Sequence, residues 1–221
     1  MLGVLLPKSL SVDTPINYNV TPLNSNINME KVNKLKIIID ENGDKVVVIS
    51  DVFFSKSKIR RKYGKVAKVI KNMFAEIEGQ CVVIEDNNKK IYFDKHTSGE
   101  YVWSRDTINS KIINRTAKLN AVKEIKTIVQ NAKYISHEEL IESKRKAKEK
   151  RGIDSSKGFD YYNVKFAFEK ENDKYQLFSG ILNVRINKNS KNFFYDITKI
   201  SESRMASGKP LSEPLENSDI L

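Results

Sequence analysis

The sequence of 221 residues is poor in the groups that build metal and disulfide sites. It has one cysteine, Cys81, and two histidines, His96 and His137. A single cysteine excludes an intrachain disulfide, and this set of three is too small for a structural zinc site. Long apolar runs are missing as well: none approaches the roughly eighteen residues of a membrane span. The opening MLGVLLPKSL is too short and too weakly charged for a secretory signal. An intracellular working place, the cytoplasm of a bacterial host, is therefore expected, with no membrane partner and no cofactor. Cys81 lies in the apolar run CVVIE and is expected to be a buried strand residue.

Acidic residues are also in short supply. Lysine and arginine number 39 against 28 aspartates and glutamates, a net charge of +11. The excess is concentrated. Residues 55–71 hold eight cations and no acid, and residues 111–151 hold twelve cations against five acids. The segment between them is net acidic, and the rest is near neutral. Two basic segments on an otherwise balanced chain suggest a polyanionic partner, nucleic acid first and an acidic protein second. Simple solubility is the alternative explanation.

Local patterns divide the chain into four parts. Residues 1–30, rich in Asn, Ser, Thr and Pro, read as an extended arm or linker. Residues 31–107 read as hairpin, basic helix, hairpin. The first hairpin turns at Asn42-Gly43 and the second at Asn87-Asn88. The helix, roughly 56–76, keeps Val66, Val69, Ile70 and Phe74 at helical spacing. HTSGE reads as a turn. Residues 108–200 read as a long helix over 108–133, a polar Ser-capped helix over 136–151, and three strands in an antiparallel meander. Residues 201–221 read as a flexible tail. The fold class expected is α+β, with helices packed on one face of an antiparallel sheet.

Two features single out candidate site residues. In NRTAKLNAVKEIKTIVQNA (114–132), Lys118 falls in the middle of the apolar face and Arg115 on its flank. A buried unpaired cation is very costly. Either the helix overshoots the sheet edge, or its start meets a cleft that receives an anion. In the meander, alternation puts Phe178, Leu182, Val184 and Ile186 on the core face. The other face gathers Tyr161, Asn163, Lys165, Tyr175, Ser179, Asn183 and Arg185. Aromatic, amide and cationic groups together suit RNA, whose bases stack and whose phosphates pair with cations. An ordinary solvated sheet face is the alternative.

The elements WSRDT (103–107), AKLNA (117–121), YYNVKFAF (161–168) and NFFYDITKI (192–200) occur in this order. On them, residues 35–200, about three quarters of the chain, resemble a large polyvalent-protein-associated domain of phage and mobile-element proteins. That domain is assigned to the barnase–EndoU–colicin–RelE-like nuclease superfamily. The resemblance implies helices followed by a four-stranded antiparallel sheet, and metal-independent RNA cleavage in active members. Lys118 and Asn120 match the AK-x-NA element. Ser104, Arg105 and Thr107 match the S-basic-DT element, and Tyr162 and Lys165 match the aromatic-and-basic strand. No pair of histidines stands where an EndoU-like site needs it.

On this reading Lys118 and Arg115, with Lys165 or Arg185 from the sheet, stabilise the transition-state phosphate. His96 serves as base or acid, or is only a turn residue. His137 reads as a surface residue after a helix cap. Tyr162 is either a proton relay or a core residue. Arg105, Asn120, Lys126, Lys144, Arg145, Tyr161 and Asn163 are the candidate nucleic-acid contacts. The expected partner is RNA, tRNA included, and a cell-killing member would travel with an acidic immunity protein. A binding or interaction module without chemistry is the competing expectation.

Overall fold

The computed structural model describes residues 36–170, 174–203 and 209–210. The expected arm, 1–30, lies outside them. The described chain is a mixed α and β fold. In order it contains β1 (Lys36–Ile39), β2 (Lys45–Ile49), α1 (Lys56–Glu76), β3 (Cys81–Val83), β4 (Lys90–Tyr92), α2 (Thr97–Trp103), α3 (Arg105–Asn109), α4 (Ile112–Ala121), a 3-10 turn (Val122–Glu124), α5 (Ile125–Gln130), β5 (Lys133–Glu138), α6 (Glu142–Glu149), β6 (Phe159–Glu169), β7 (Tyr175–Ile186), β8 (Asn192–Glu202) and β9 (Lys209–Pro210).

Both hairpins form where the turn residues place them. Gly43 has φ +79° in the first and Asn88 φ +58° in the second, a backbone region open to glycine and tolerated by asparagine. Helix α1 starts at Ser55, whose hydroxyl accepts from the Lys58 amide at 3.2 Å. It buries Val66, Ile70 and Phe74 and holds its cations in solvent. Val69, expected among the buried positions, is exposed.

The sheet is mixed where an antiparallel one was expected. β6, β7 and β8 are the antiparallel meander, in register from Phe159↔Arg185 to Glu169↔Tyr175 on one side. The hairpins join its flanks through parallel seams, β2 beside β6 (Val47↔Phe166) and β4 beside β8 (Ile91↔Asn192). Strands from 31–107 and from 108–200 thus share one sheet, ordered β3-β4-β8-β7-β6-β2-β1-β9. β5 lies antiparallel on the part of β6 that β2 leaves free. Of the tail 201–221, Lys209–Pro210 adds a short strand beside β1.

The main core lies between one face of this sheet and α1, α2, α4 and α5. Phe166, Phe178, Leu182 and Phe194 meet Ile70, Phe74, Tyr101, Leu119 and Ile128 there. The opposite face carries a smaller apolar cluster near β1 and β2, including Val46, Ala167 and Leu177. Tyr175, expected on an open polar face, is buried in that cluster.

Four local expectations are corrected. HTSGE is not a turn but the start of α2, because burying Tyr101 and Val102 against the core outweighs the glycine. The long helix over 108–133 is interrupted at Ser110, which is extended, and again at the 3-10 turn. Of the polar helix expected over 136–151, residues 136–138 belong to strand β5 and only 142–149 are helical. Cys81 is in a strand, as read, but it is exposed because β3 is the end strand of the sheet.

Candidate nucleic-acid interface

The cation on the apolar face of α4 is answered from within the protein. Lys118 is 2% exposed, and its Nζ lies 2.5 Å from Asp196 Oδ1 on β8. It also donates to Thr107 Oγ1 at 2.5 Å and sits over the Tyr101 ring. Burial pushes the Asp196 carboxyl up to about 6 and holds the Lys118 ammonium below its ordinary value. The expected cleft at this helix start is a packed core ion pair.

The other cations expected to meet phosphate are also engaged internally. Arg115 donates to the carbonyls of Ile108 and Ser110 and faces the Tyr63 ring. Lys165 is 2.6 Å from both Asp40 and Asp44 in the first hairpin turn. Arg185 is buried, pairs with Asp94, donates to the Asp154 carbonyl and lies over Phe193. Asn120 is wholly buried and holds both backbone groups of Phe54, each at 2.9 Å. Tyr162 is a core residue whose hydroxyl accepts from Asn87. His96 opens α2 and lines neither groove described below. Arg105 and Lys126 are exposed, and Lys126 donates to Gln80. Asn163 is half-buried opposite Lys133 of β5.

What remains open is a groove of about 540 Å³ on the sheet face away from the main core. Its floor is the meander, through Tyr161, Asn183 and Tyr195, and its walls are β5 and α6. The parity of β6 and β7 turns Tyr161 and Asn183 outward while Tyr162 and Leu182 fill the core. Helix α6 contributes Lys144 and Lys148, and β8 contributes Lys199. Lys144 and Lys199 are exposed. Lys148 is half-buried, 4.1 Å from the centre of the Tyr195 ring and 4.8 Å from that of Phe159, and donates to the Tyr195 hydroxyl at 2.8 Å. Burial lowers its ammonium from the ordinary lysine value. The Tyr161 hydroxyl donates to Glu138 at 2.7 Å, and burial raises its pKa.

Of the expected nucleic-acid contacts, this groove therefore brings together Lys144 and Tyr161. Lys148, Tyr195 and Lys199 were missed. The first lay in the basic run of α6, and the other two depend on irregularities in the β7–β8 pairing, Tyr195 at the one between the Asn183 and Val184 pairings and Lys199 at the one between the Ser179 and Ile181 pairings.

A second groove, of about 580 Å³, opens on the other side of α6 and shares Leu140 with the first. Lys89, His137, Arg145 and Lys157 line it, together with Glu139. His137 and Asp160 are directly opposed on β5 and β6. The imidazole Nδ1 is 2.8 Å from Asp160 Oδ1, and Lys89 Nζ is 2.5 Å from Oδ2. Asp160 is buried, while the His137 side chain is 38% exposed. Among the described residues no group of three or more His, Cys, Asp or Glu side chains could hold a metal, and no helix is long and apolar enough to cross a membrane. No protein-family model, curated protein or solved structure matches the chain.

Proposed function

We propose that this chain is an RNA-binding module, of the kind carried by the phage or mobile-element polyvalent proteins that its sequence resembles. One observation carries the reading: three lysines, two tyrosines and an asparagine line a single groove over an otherwise packed sheet. Tyrosine faces accept unstacked bases, and lysines follow the phosphates. A single strand is the form that fits, because its bases are free to turn toward the rings. Binding is favoured over cleavage by the residues first assigned to chemistry, because Lys118, Lys165 and Arg185 already have carboxylate partners.

The test is fluorescence anisotropy with a labelled single-stranded RNA, titrated across salt. Each lysine that neutralises a phosphate contributes about 0.7 to the slope of log affinity against log salt. Lys144→Ala/Lys199→Ala should therefore lower that slope by about 1.4 and weaken binding on the order of tenfold at physiological salt. Both residues are exposed, so the fold tolerates the change. An affinity that is flat in salt, or unchanged in the double variant, overturns the reading. Preference for an acidic protein over RNA in a direct competition does the same.

A further inference from the structure

We propose that Lys148 is an amine nucleophile that captures, as an imine, an aldehyde bearing a phosphate in the first groove. The inference shares that groove with the RNA-binding reading but does not rest on RNA as the ligand.

The three lysines of the groove are not equivalent. Lys144 and Lys199 are exposed, whereas Lys148 is half-buried. Its Nζ sits in the corner of two rings, Phe159 and Tyr195, which meet edge to face at 81°. Among the described residues its contacts are those two ring faces and the Tyr195 hydroxyl, and no carboxylate pairs with it. Lys118, Lys123 and Lys165, by contrast, each have an aspartate. Burial lowers the Lys148 ammonium from its ordinary value; Glu100 opposes this but is itself paired with Arg151, and Arg151 and Arg185 add to the lowering. A lysine desolvated beside rings and other cations is the kind that condenses with carbonyl groups.

The rim supplies what a phosphate needs. Lys144 and Lys199 stand free on it. The backbone of Lys199 is in the left-handed region, φ +52°, and its amide donates to Asp106 at 3.1 Å, so the fold holds this residue in a strained position beside the groove. Glu138, the acid of the groove, already accepts from Tyr161.

The step balances without an oxidant or reductant. The Nζ lone pair attacks the aldehyde carbon, and the carbonyl oxygen takes a proton from the Tyr195 hydroxyl, which is 2.8 Å from Nζ. The attacking nitrogen returns a proton to that phenolate. The new hydroxyl then leaves as water and a C=N bond replaces C=O. Two sources carry this chemistry: the ring-opened sugar of an abasic site in a nucleic-acid strand, and a free phosphorylated aldehyde.

The experiment incubates the full chain near neutral pH with pyridoxal 5′-phosphate, with pyridoxal, or with a single-stranded oligonucleotide carrying one abasic site. Borohydride reduces any imine to a stable amine, and peptide mass spectrometry locates it. Pyridoxal 5′-phosphate should modify Lys148 on the order of tenfold faster than Lys144 or Lys199, although both are more exposed. Lys144→Ala/Lys199→Ala should bring the rates of pyridoxal 5′-phosphate and pyridoxal at Lys148 close together. Lys148→Arg keeps a cation over the rings and should abolish trapping of the abasic strand. Modification of Lys148 by either phosphate-bearing probe supports the inference, and the faster probe identifies the source. Modification that merely follows exposure overturns it, as does equal reactivity of wild-type Lys148 toward pyridoxal and its phosphate. RNA bound in the anisotropy titration with no imine at Lys148 overturns the inference and leaves the binding reading standing; an imine without RNA binding does the reverse.

Discussion

Replacing Lys118 by methionine removes one half of a core ion pair while keeping most of its volume. Asp196 would remain 1% exposed and lose the cation 2.5 Å away. Breaking a buried pair on one side costs about 3–5 kcal/mol, because the surviving charge is uncompensated. For a chain of this size that is a fall in Tm of roughly 6–20 °C. The loss should depend on pH, and its sign follows from the carboxyl. Burial already holds Asp196 at about 6 with Lys118 beside it. Lys118 acts to lower that value, so removing the lysine raises it further. Unfolded, the same carboxyl titrates near 3.9. Between the unfolded and folded values only the folded state holds the proton, so lowering the pH through this window favours folding. The stability difference between variant and wild type should therefore shrink as pH falls from 7.5 toward 6, by up to about 1.4 kcal/mol per pH unit, and level off below 6, where the wild-type carboxyl takes up its own proton.

Urea denaturation at several pH values measures this directly. Lys118→Met/Asp196→Leu, which removes both charges, should recover most of the loss or exceed the wild type. RNA affinity should be unchanged in every folded variant, since Lys118 lines neither groove. A single-variant loss below about 1 kcal/mol with no pH dependence would refute the account of this pair. So would a double variant less stable than the single one.

Two further outcomes concern packing. Asn120→Ala leaves the amide and carbonyl of Phe54 buried and unpaired and should cost about 2–4 kcal/mol in urea denaturation; a neutral effect would show that other groups satisfy them. Gly158 has φ +83°, and a Cβ there would run into the Glu138 carbonyl on β5. Gly158→Ala should therefore loosen β5 from β6, seen as faster amide exchange over 133–138, and should displace His137 from Asp160; unchanged exchange would contradict this.

Half of the groove over the meander was legible in the sequence. Tyr161 and Asn183 face outward by strand parity alone, and Lys144 lies in a visibly basic segment. His137 was not legible, because SHEEL has the composition of a capped helix start. It is a strand because β6 offers an unpaired edge there, and that edge belongs to residues more than twenty positions later. The catalytic roles first given to Lys118 and Arg185 came from reading charge without partners. Asp196 and Asp94 lie 78 and 91 positions away, respectively, and nothing local announces them.

Local periodicity and turn chemistry determined both hairpins, the basic helix, the meander and the place of Lys118 on the apolar face of its helix, because each depends on neighbours a few residues apart. Tertiary structure alone decided the parallel seams, the conversion of 133–138 to strand, the aspartate that neutralises Lys118 and the one that orients His137. Those outcomes depend on charge separations of a few ångströms between residues distant in the chain, and only the closed sheet sets such distances.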